Sequence, residues 1–210
     1  QKWTEVECDM TKNADNISIR TMLVHNGSLY IGTENNASDN GGGELWKYTE
    51  KNDNGSVDTK NMCNNENPWL QIGAGQFGND ASVAELAVYD NKMYVGTWDF
   101  TDKFGLYEIS ENENNGTTST TLNNDGYEIN PVTPKFEGCD ELSNLGVMQL
   151  RVSDGKLILG TVNYENGFTL LCTDDPSNTD GWNVITTDGL GDPSNAYSWS
   201  MQEWNDKLYL

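Results

Sequence analysis

The side chains that could do chemistry in this chain are aromatic rings and carboxylates set behind two Gly-Thr pairs. Trp98, Asp99, Phe100 and Asp102 follow Gly96-Thr97, and Tyr164 and Glu165 follow Gly160-Thr161. Rings beside carboxylates suit sugars, whose apolar faces stack while their hydroxyls hydrogen-bond. The plain alternative is a solvated acidic rim with a few structural aromatics. Other chemistries find little material. His25 is the only histidine, and it stands at a turn, so Ser-His-Asp, Cys-His and histidine-rich metal arrangements are excluded within this segment. Carboxylate pairs for glycoside hydrolysis abound, which makes any chosen pair arbitrary. Asp174-Asp175 with Asn178 and Asp180 could ligate Ca²⁺ through oxygens but lack the spacing of an EF-hand loop. No other cofactor is expected.

With 33 acidic and 12 basic residues the net charge is -21. Such a charge repels nucleic-acid phosphates and anionic lipids, so neither is an expected partner. It suits a solvated extracellular surface, a high-salt habitat or divalent cations. A length of 210 residues fits one domain that buries roughly 70% of its unfolded surface. No apolar run approaches the ~20 residues of a membrane helix, and no leader pattern opens the chain. Glycosylation sequons stand at Asn16, Asn26, Asn36, Asn54 and Asn115, and the four cysteines, Cys8, Cys63, Cys139 and Cys172, lack metal or redox spacing. Together they point to a secreted or cell-surface glycoprotein with two disulfides, free buried thiols being the alternative.

The elements that position these residues come from an internal repeat. Ala84 to Thr97 can be laid over Thr21 to Thr33, Gln149 to Thr161 and Ser200 to Leu210. Apolar anchors Met22, Leu86, Leu150 and Met201 are each followed seven positions later by Leu29, Met93, Leu157 and Leu208, with Asn, Asp or Gly between. The pattern predicts a hairpin in each copy: 19–25 with 28–33, 83–89 with 92–97, and 147–152 with 156–161. A third strand is expected at 44–49, 106–110 and 168–173, and a fourth at 69–72, near 131–137, and at 182–185. The run 111–130 reads as too polar to pack. Trp3 to Glu7 reads as a further strand, and no segment reads as helix.

Four antiparallel strands per repeat, at a period of roughly 50 to 65 residues, is the signature of propeller blades. The expected fold is therefore an all-β propeller: one domain over 1–210 with three full blades and parts of others. It is expected to continue beyond the C-terminus into a six- to eight-bladed ring, with the Trp3 strand closing the last blade. A flat sandwich is the other candidate.

The segment from Gly181-Trp182-Asn183-Val184 through Gly189-Leu190-Gly191-Asp192 to Asn195, then Ser200-Met201 and Lys207-Leu208-Tyr209-Leu210, resembles the repeat of secreted bacterial and archaeal β-propellers. Leu29-Tyr30-Ile31-Gly32-Thr33 with Gly43-Glu44-Leu45-Trp46, and Met93-Tyr94-Val95-Gly96-Thr97 with Gly105-Leu106-Tyr107, carry the same likeness, which is distantly shared with sialidase-like propellers. That resemblance implies fold rather than activity. A sialidase-type clamp needs three arginines, whereas the chain holds Arg20 and Arg151 alone.

Two polar positions recur. Asn16, Asp80, Asn144 and Asn195 lie six residues before each anchor, and Asn35, Asp99 and Asn163 lie two after each Gly-Thr. Short Asx side chains at fixed places usually bond their own backbone. At Asn16 that reading competes with a glycan. Both positions fall at one end of the blades, which would display Trp98, Asp99, Phe100, Tyr164 and Glu165 among Asp80, Asp140, Asp188 and Asp192. Cys8 and Cys139 lie in connections entering a blade, and Cys63 and Cys172 after its third strand, so the expected bridges are Cys8–Cys63 and Cys139–Cys172. The expected function is a non-enzymatic scaffold binding glycans or extracellular proteins, including copies of itself. The alternative is a carbohydrate-active hydrolase or lyase with its remaining catalytic residues beyond Leu210.

Overall fold

The computed structural model describes residues 15–35, 42–48, 69–77, 82–99, 103–111, 126–138 and 143–210. Among these residues there is no helix, every strand pairing is antiparallel, and no sheet closes into a barrel. Strands β1 (Asn16–His25), β2 (Ser28–Asn35), β3 (Leu45–Tyr48) and β4 (Trp69–Ile72) form a first sheet in chain order. Strands β5 (Ser82–Tyr89), β6 (Lys92–Trp98), β7 (Leu106–Glu111) and β8 (Tyr127–Pro131) repeat that order, as do β9 (Gly146–Ser153), β10 (Lys156–Val162), β11 (Leu170–Thr173) and β12 (Asn183–Thr186). One bridge, Trp98 with Gly146, joins these two sets into an eight-stranded sheet. A hairpin of β13 (Gln202–Trp204) and β14 (Lys207–Tyr209) completes the described chain.

Short loops that tolerate positive φ set the register. The turns are Asn26-Gly27, Asp90-Asn91, Asp154-Gly155 and Asn205-Asp206, and φ lies between 47° and 69° at all eight residues. Two successive left-handed residues make the type I′ turn whose twist matches the flanking strands, and Asn, Asp and Gly reach that region at least cost. Each turn leaves the next pair directly opposed: His25 with Ser28, Tyr89 with Lys92, Ser153 with Lys156, and Trp204 with Lys207.

A second recurring device is a bulge. The register slips between Ile19 and Thr21, between Val83 and Glu85, and at the Gly160/Thr161 step opposite Gln149 and Val147. The extra residue is Arg20, Ala84 or Met148, two before each anchor. One inserted residue keeps the side chains three before the anchor and at the anchor on the same face.

Those side chains meet the neighbouring sheet. A Cβ on Gly32 would stand 2.5 Å from Val83 Cγ1, one on Gly96 2.6 Å from Val147 Cβ, and one on Gly160 2.7 Å from Ser198 Cβ. Each repeat glycine is thus a hole that admits the next unit's side chain. Around these contacts, Tyr30, Leu45 and Ile72 pack with Val83, Leu86, Met93 and Ile109. Likewise Ala87, Tyr94 and Leu106 pack with Val147, Leu150, Leu159 and Leu171. Burying each such aliphatic side chain contributes about 1.5–3 kcal/mol.

The strands cover the expected spans with small changes at their ends, apart from β8. That strand runs Tyr127–Pro131 rather than 131–137. The polar run does supply it: Tyr127 is 3% exposed and Ile129 pairs with Ile109. Two apolar residues at alternate positions suffice for a strand buried on one face. Val132, expected inside the strand, follows it, with its N–H donating to the Leu106 carbonyl. The Trp3 strand lies outside the described residues.

Candidate functional site

The recurring polar positions prove to be carpentry. Thr33, Thr97 and Thr161 each accept, at Oγ1, the backbone N–H that precedes the third strand, from Glu44 (3.0 Å), Gly105 (2.8 Å) and Thr169 (2.9 Å). Each threonine N–H donates to the carbonyl of that same residue, at 2.9, 2.9 and 3.0 Å. Asn16 Oδ1 accepts from Thr33 Oγ1 and from Asn35 Nδ2, and Asn144 Oδ1 accepts from Thr161 Oγ1 at 2.7 Å. Asn16 Nδ2 donates to Glu44 Oε2 at 2.6 Å. Asn16 and Asn144, each six before its anchor, therefore lock the Gly-Thr end of their own units and give the buried threonine hydroxyl an acceptor, while Asn144 Nδ2 stays unpaired among the described residues.

The second position works differently. Asn163 Oδ1 accepts the N–H groups of Glu165 (3.0 Å) and Asn166 (2.9 Å). This Asx turn bends the chain just past β10 and turns Tyr164 outward, 52% exposed. Asn163 N–H donates to the Ala196 carbonyl, and Val162 bridges Tyr197, so the connection into β13 is drawn against the same turn.

The result is a ledge of rings. Tyr197 lies 5.4 Å from Tyr164 at 84° and 5.4 Å from Trp199 at 78°, centroid to centroid. Tyr197 and Trp199 are 38% and 69% exposed. Edge-to-face packing of this kind holds rings rigid without covering them. The Tyr164 and Tyr197 hydroxyls are 2.7 Å apart, and that hydrogen bond, aided by desolvation, pushes the Tyr164 phenol up to about 12. The Tyr164 phenol therefore stays protonated at neutral pH. Trp98 anchors the inner end of the ledge at 6.5 Å from Tyr197, with the Arg20 guanidinium carbon 5.2 Å from its ring centroid.

Of the residues expected here from sequence, the structure brings Tyr164 and Trp98 into one assembly. Trp98 is the last residue of β6 and only 7% exposed, so it forms the base of the ledge and not an open platform. Asp99 is held by its N–H on the Leu145 carbonyl, and Glu165 accepts from Ser143 Oγ at 2.9 Å. Asp188 accepts from Thr186 Oγ1 and the Gly191 N–H, which hold its carboxyl below the usual range, and Asp192 accepts from the Ser194 N–H. Phe100, Asp80, Asp102 and Asp140 lie outside the described residues. Tyr197 and Trp199 escaped the sequence reading, although two aromatics four and two residues before the Met201 anchor were a signal.

A separate charged group sits between neighbouring units. Glu85 on β5 accepts from Arg151 Nη1 at 3.1 Å, and Arg151 Nε donates to the Met201 carbonyl. Burial pushes the Glu85 carboxyl up to about 7 against the pull of Arg151. At the turn end of the strands, a cavity of about 220 Å³ between the first two units is lined by His25, Tyr30, Lys92, Glu111 and Tyr127. Lys47, 8% exposed, donates to Tyr127 and Glu111 beside it. Desolvation and Lys47 lower the His25 pKa, against an opposing pull from Glu111.

Cys172 on β11 carries a free thiol, and Cys8, Cys63 and Cys139 lie outside the described residues, so the two expected bridges are not shown. The same holds for sequons Asn36, Asn54 and Asn115. The Asp174-Asp180 run folds as a turn with Ser177 Oγ on Asp175 and the Asn178 N–H on the Asp175 carbonyl. Among the described residues no three His, Cys, Asp or Glu side chains group as a metal site. No family model, no curated protein and no solved structure matches the chain.

Proposed function

We propose that this chain is part of a secreted β-propeller, with each four-stranded set as one blade, and that it acts as a non-enzymatic scaffold binding glycans on the ledge of Tyr164, Tyr197 and Trp199. The blade reading is supported by the repetition of strand order, turn, bulge and glycine hole from unit to unit. The observation that carries the function is the ledge: three large rings 38–69% exposed, with Tyr164 and Trp199 each packed edge-on against Tyr197, at the loop end of the strands. Exposed aromatic surface held rigid by its own packing mark binding sites, because a partner covers it without ordering flexible side chains. Sugar rings offer the apolar faces and hydroxyls that such a surface and its phenol hydroxyls match. The charge of -21 disfavours polyanions, which points to neutral saccharides.

A glycan array of neutral and acidic saccharides, followed by calorimetry on the strongest ligand, tests this. Trp199→Ala and Tyr164→Ala are each expected to weaken binding about tenfold, the equivalent of one stacking contact of about 1.4 kcal/mol. Retention of no saccharide, or unchanged affinity in both variants, rejects the glycan reading; a protein ligand captured through the same rings redirects it to subunit binding.

A further inference from the structure

The cavity between the first two units has a floor and a rim of different character. Its floor is Tyr30, Met93, Ile109 and Tyr127, all 3–4% exposed and part of one packed cluster, so rings and alkyl groups close it from below. The rim is polar: His25 and Asn26 come from the β1–β2 hairpin, Asn91 and Lys92 from the β5–β6 hairpin, and Ser110 and Glu111 from the end of β7. A volume of about 220 Å³ falls below the ~300–1,000 Å³ of pockets for drug-sized ligands, which limits an occupant to roughly the size of one sugar ring.

The charges around the cavity are already paired. Lys92 Nζ donates to both oxygens of Glu108, at 3.0 and 3.1 Å. Lys47 Nζ lies 5.7 and 5.3 Å from the Tyr30 and Tyr127 ring centroids, and donates to the Tyr127 hydroxyl at 2.6 Å and to Glu111 Oε1 at 3.1 Å. The Tyr127 hydroxyl donates in turn to Glu111 Oε1 at 3.2 Å. Two ammonium groups thus meet two carboxylates, and burial and Lys47 oppose charge on His25 against a smaller pull from Glu111. An occupant with net charge would find no counter-charge to offset its loss of water. Hydrogen-bonding capacity, by contrast, is left over. Glu111 Oε2, the Asn91 amide and the Ser110 hydroxyl have no hydrogen-bond partner among the described residues, and the Lys92 ammonium keeps a third N–H.

We infer that this cavity is a second binding site, for a small neutral polyol of the size of one sugar ring, whose apolar face rests on Tyr30, Met93 and Ile109 while its hydroxyls join Glu111 Oε2 to Lys92 and Asn91. Each hydroxyl both donates and accepts, so neighbouring hydroxyls can use a carboxylate oxygen and an ammonium or amide N–H together. The site needs only the packing of the first unit on the second. It lies at the turn end of the strands, away from the ledge at the Gly-Thr end, and does not rest on the glycan reading.

His25 is the only histidine, so its Cε1–H signal in the NMR spectrum of histidine-labelled intact protein reports on this cavity alone. At constant pH, glucose, galactose, mannose and myo-inositol are titrated in turn, then sodium acetate and methylammonium chloride. At least one polyol is expected to shift the signal saturably, with a dissociation constant on the order of 1 mM for a ligand of about twelve non-hydrogen atoms. Maltose and lactose separate two sources of the same chemistry, since a free polyol binds more tightly than the matching disaccharide and a chain end does not. Glu111→Gln, at an exposed position, and Asn91→Gly, which tolerates the positive φ there, should each weaken the polyol about tenfold, the loss of one hydrogen bond to a ligand hydroxyl. No saturable shift with any polyol, a tighter response to acetate or methylammonium, or unchanged affinity in both variants each overturns the inference. Binding at the ledge is scored through Trp199 and Tyr164, so either site can fail without the other.

Discussion

Replacing Gly96 by alanine probes the contact on which the architecture depends. Gly96 lies mid-strand without a positive φ, so alanine meets no backbone strain there and any cost is steric. The added Cβ would stand 2.6, 2.6 and 2.9 Å from Val147 Cβ, Cγ1 and Cγ2, against an optimum of about 3.5–4.0 Å. Because all three atoms of the valine side chain are too close, rotation about χ1 relieves nothing, and Val147 is itself 0% exposed among Leu150, Leu157 and Leu159. Overpacking of this kind costs about 1–3 kcal/mol. Alanine returns about 0.4–1 kcal/mol by restricting the unfolded chain. A net loss of about 1–2 kcal/mol follows, which for a chain of this size lowers Tm by about 2–8 °C. The assay is urea and thermal denaturation of the four members of a cycle: wild type, Gly96→Ala, Val147→Ala and the double variant. Val147→Ala removes the Cγ1 and Cγ2 contacts and leaves only the Cβ contact at 2.6 Å, so alanine at 96 should cost less in that background, giving a coupling of about 0.5 kcal/mol or more. A Gly96→Ala effect under about 0.5 kcal/mol, or equal effects in both backgrounds, refutes the knob-and-hole account.

Other outcomes follow from the same geometry. The raised carboxyl of Glu85 binds its proton more tightly in the folded state, so its contribution is fully present below about 4.5 and is lost as pH rises through about 7. The fall is about 3 kcal/mol; Glu85→Gln should flatten the stability profile across that window, and an unchanged slope would show that another group governs it. Thr161→Val keeps volume but removes the hydroxyl that serves Thr169 N–H and Asn144, and a loss of about 1–3 kcal/mol in chemical denaturation is expected, whereas a neutral result would discount the Gly-Thr lock. If the chain passes a glycosylation machinery, glycopeptide mapping should find Asn26, exposed at its turn, occupied and Asn16 unmodified, because the Asn16 amide is engaged by Glu44, Thr33 and Asn35. A glycan on Asn16 would contradict that network. Trp199→Ala should leave Tm unchanged, since the ring is 69% exposed, while weakening saccharide binding.

What the sequence determined by itself was local and periodic. Two-residue turns written as Asn-Gly or Asp-Asn select one turn type, and alternation on either side selects one register, so hairpins at 19–33, 83–97 and 147–161 were legible from residue order alone. The recurrence of Gly-Thr announced a repeated contact but not its partner, because the residue that fills each hole is 51, 51 or 38 residues away and only packing of one unit on the next brings it there. β8 was misplaced for a related reason: Tyr127 and Ile129 are too few to stand out in a polar run, and become a strand only when Ile109 lies opposite. The ledge was half visible. Tyr164 was conspicuous behind its Gly-Thr, yet Trp98, read as an equal platform, is drawn beneath by Tyr197 and Gly146, and Trp199 enters only because the Ala196 carbonyl is held by the Asn163 N–H. Turn and strand chemistry act within a few residues and can be read along the chain, whereas burial and the meeting of side chains depend on which sheet covers which, and that is settled in three dimensions.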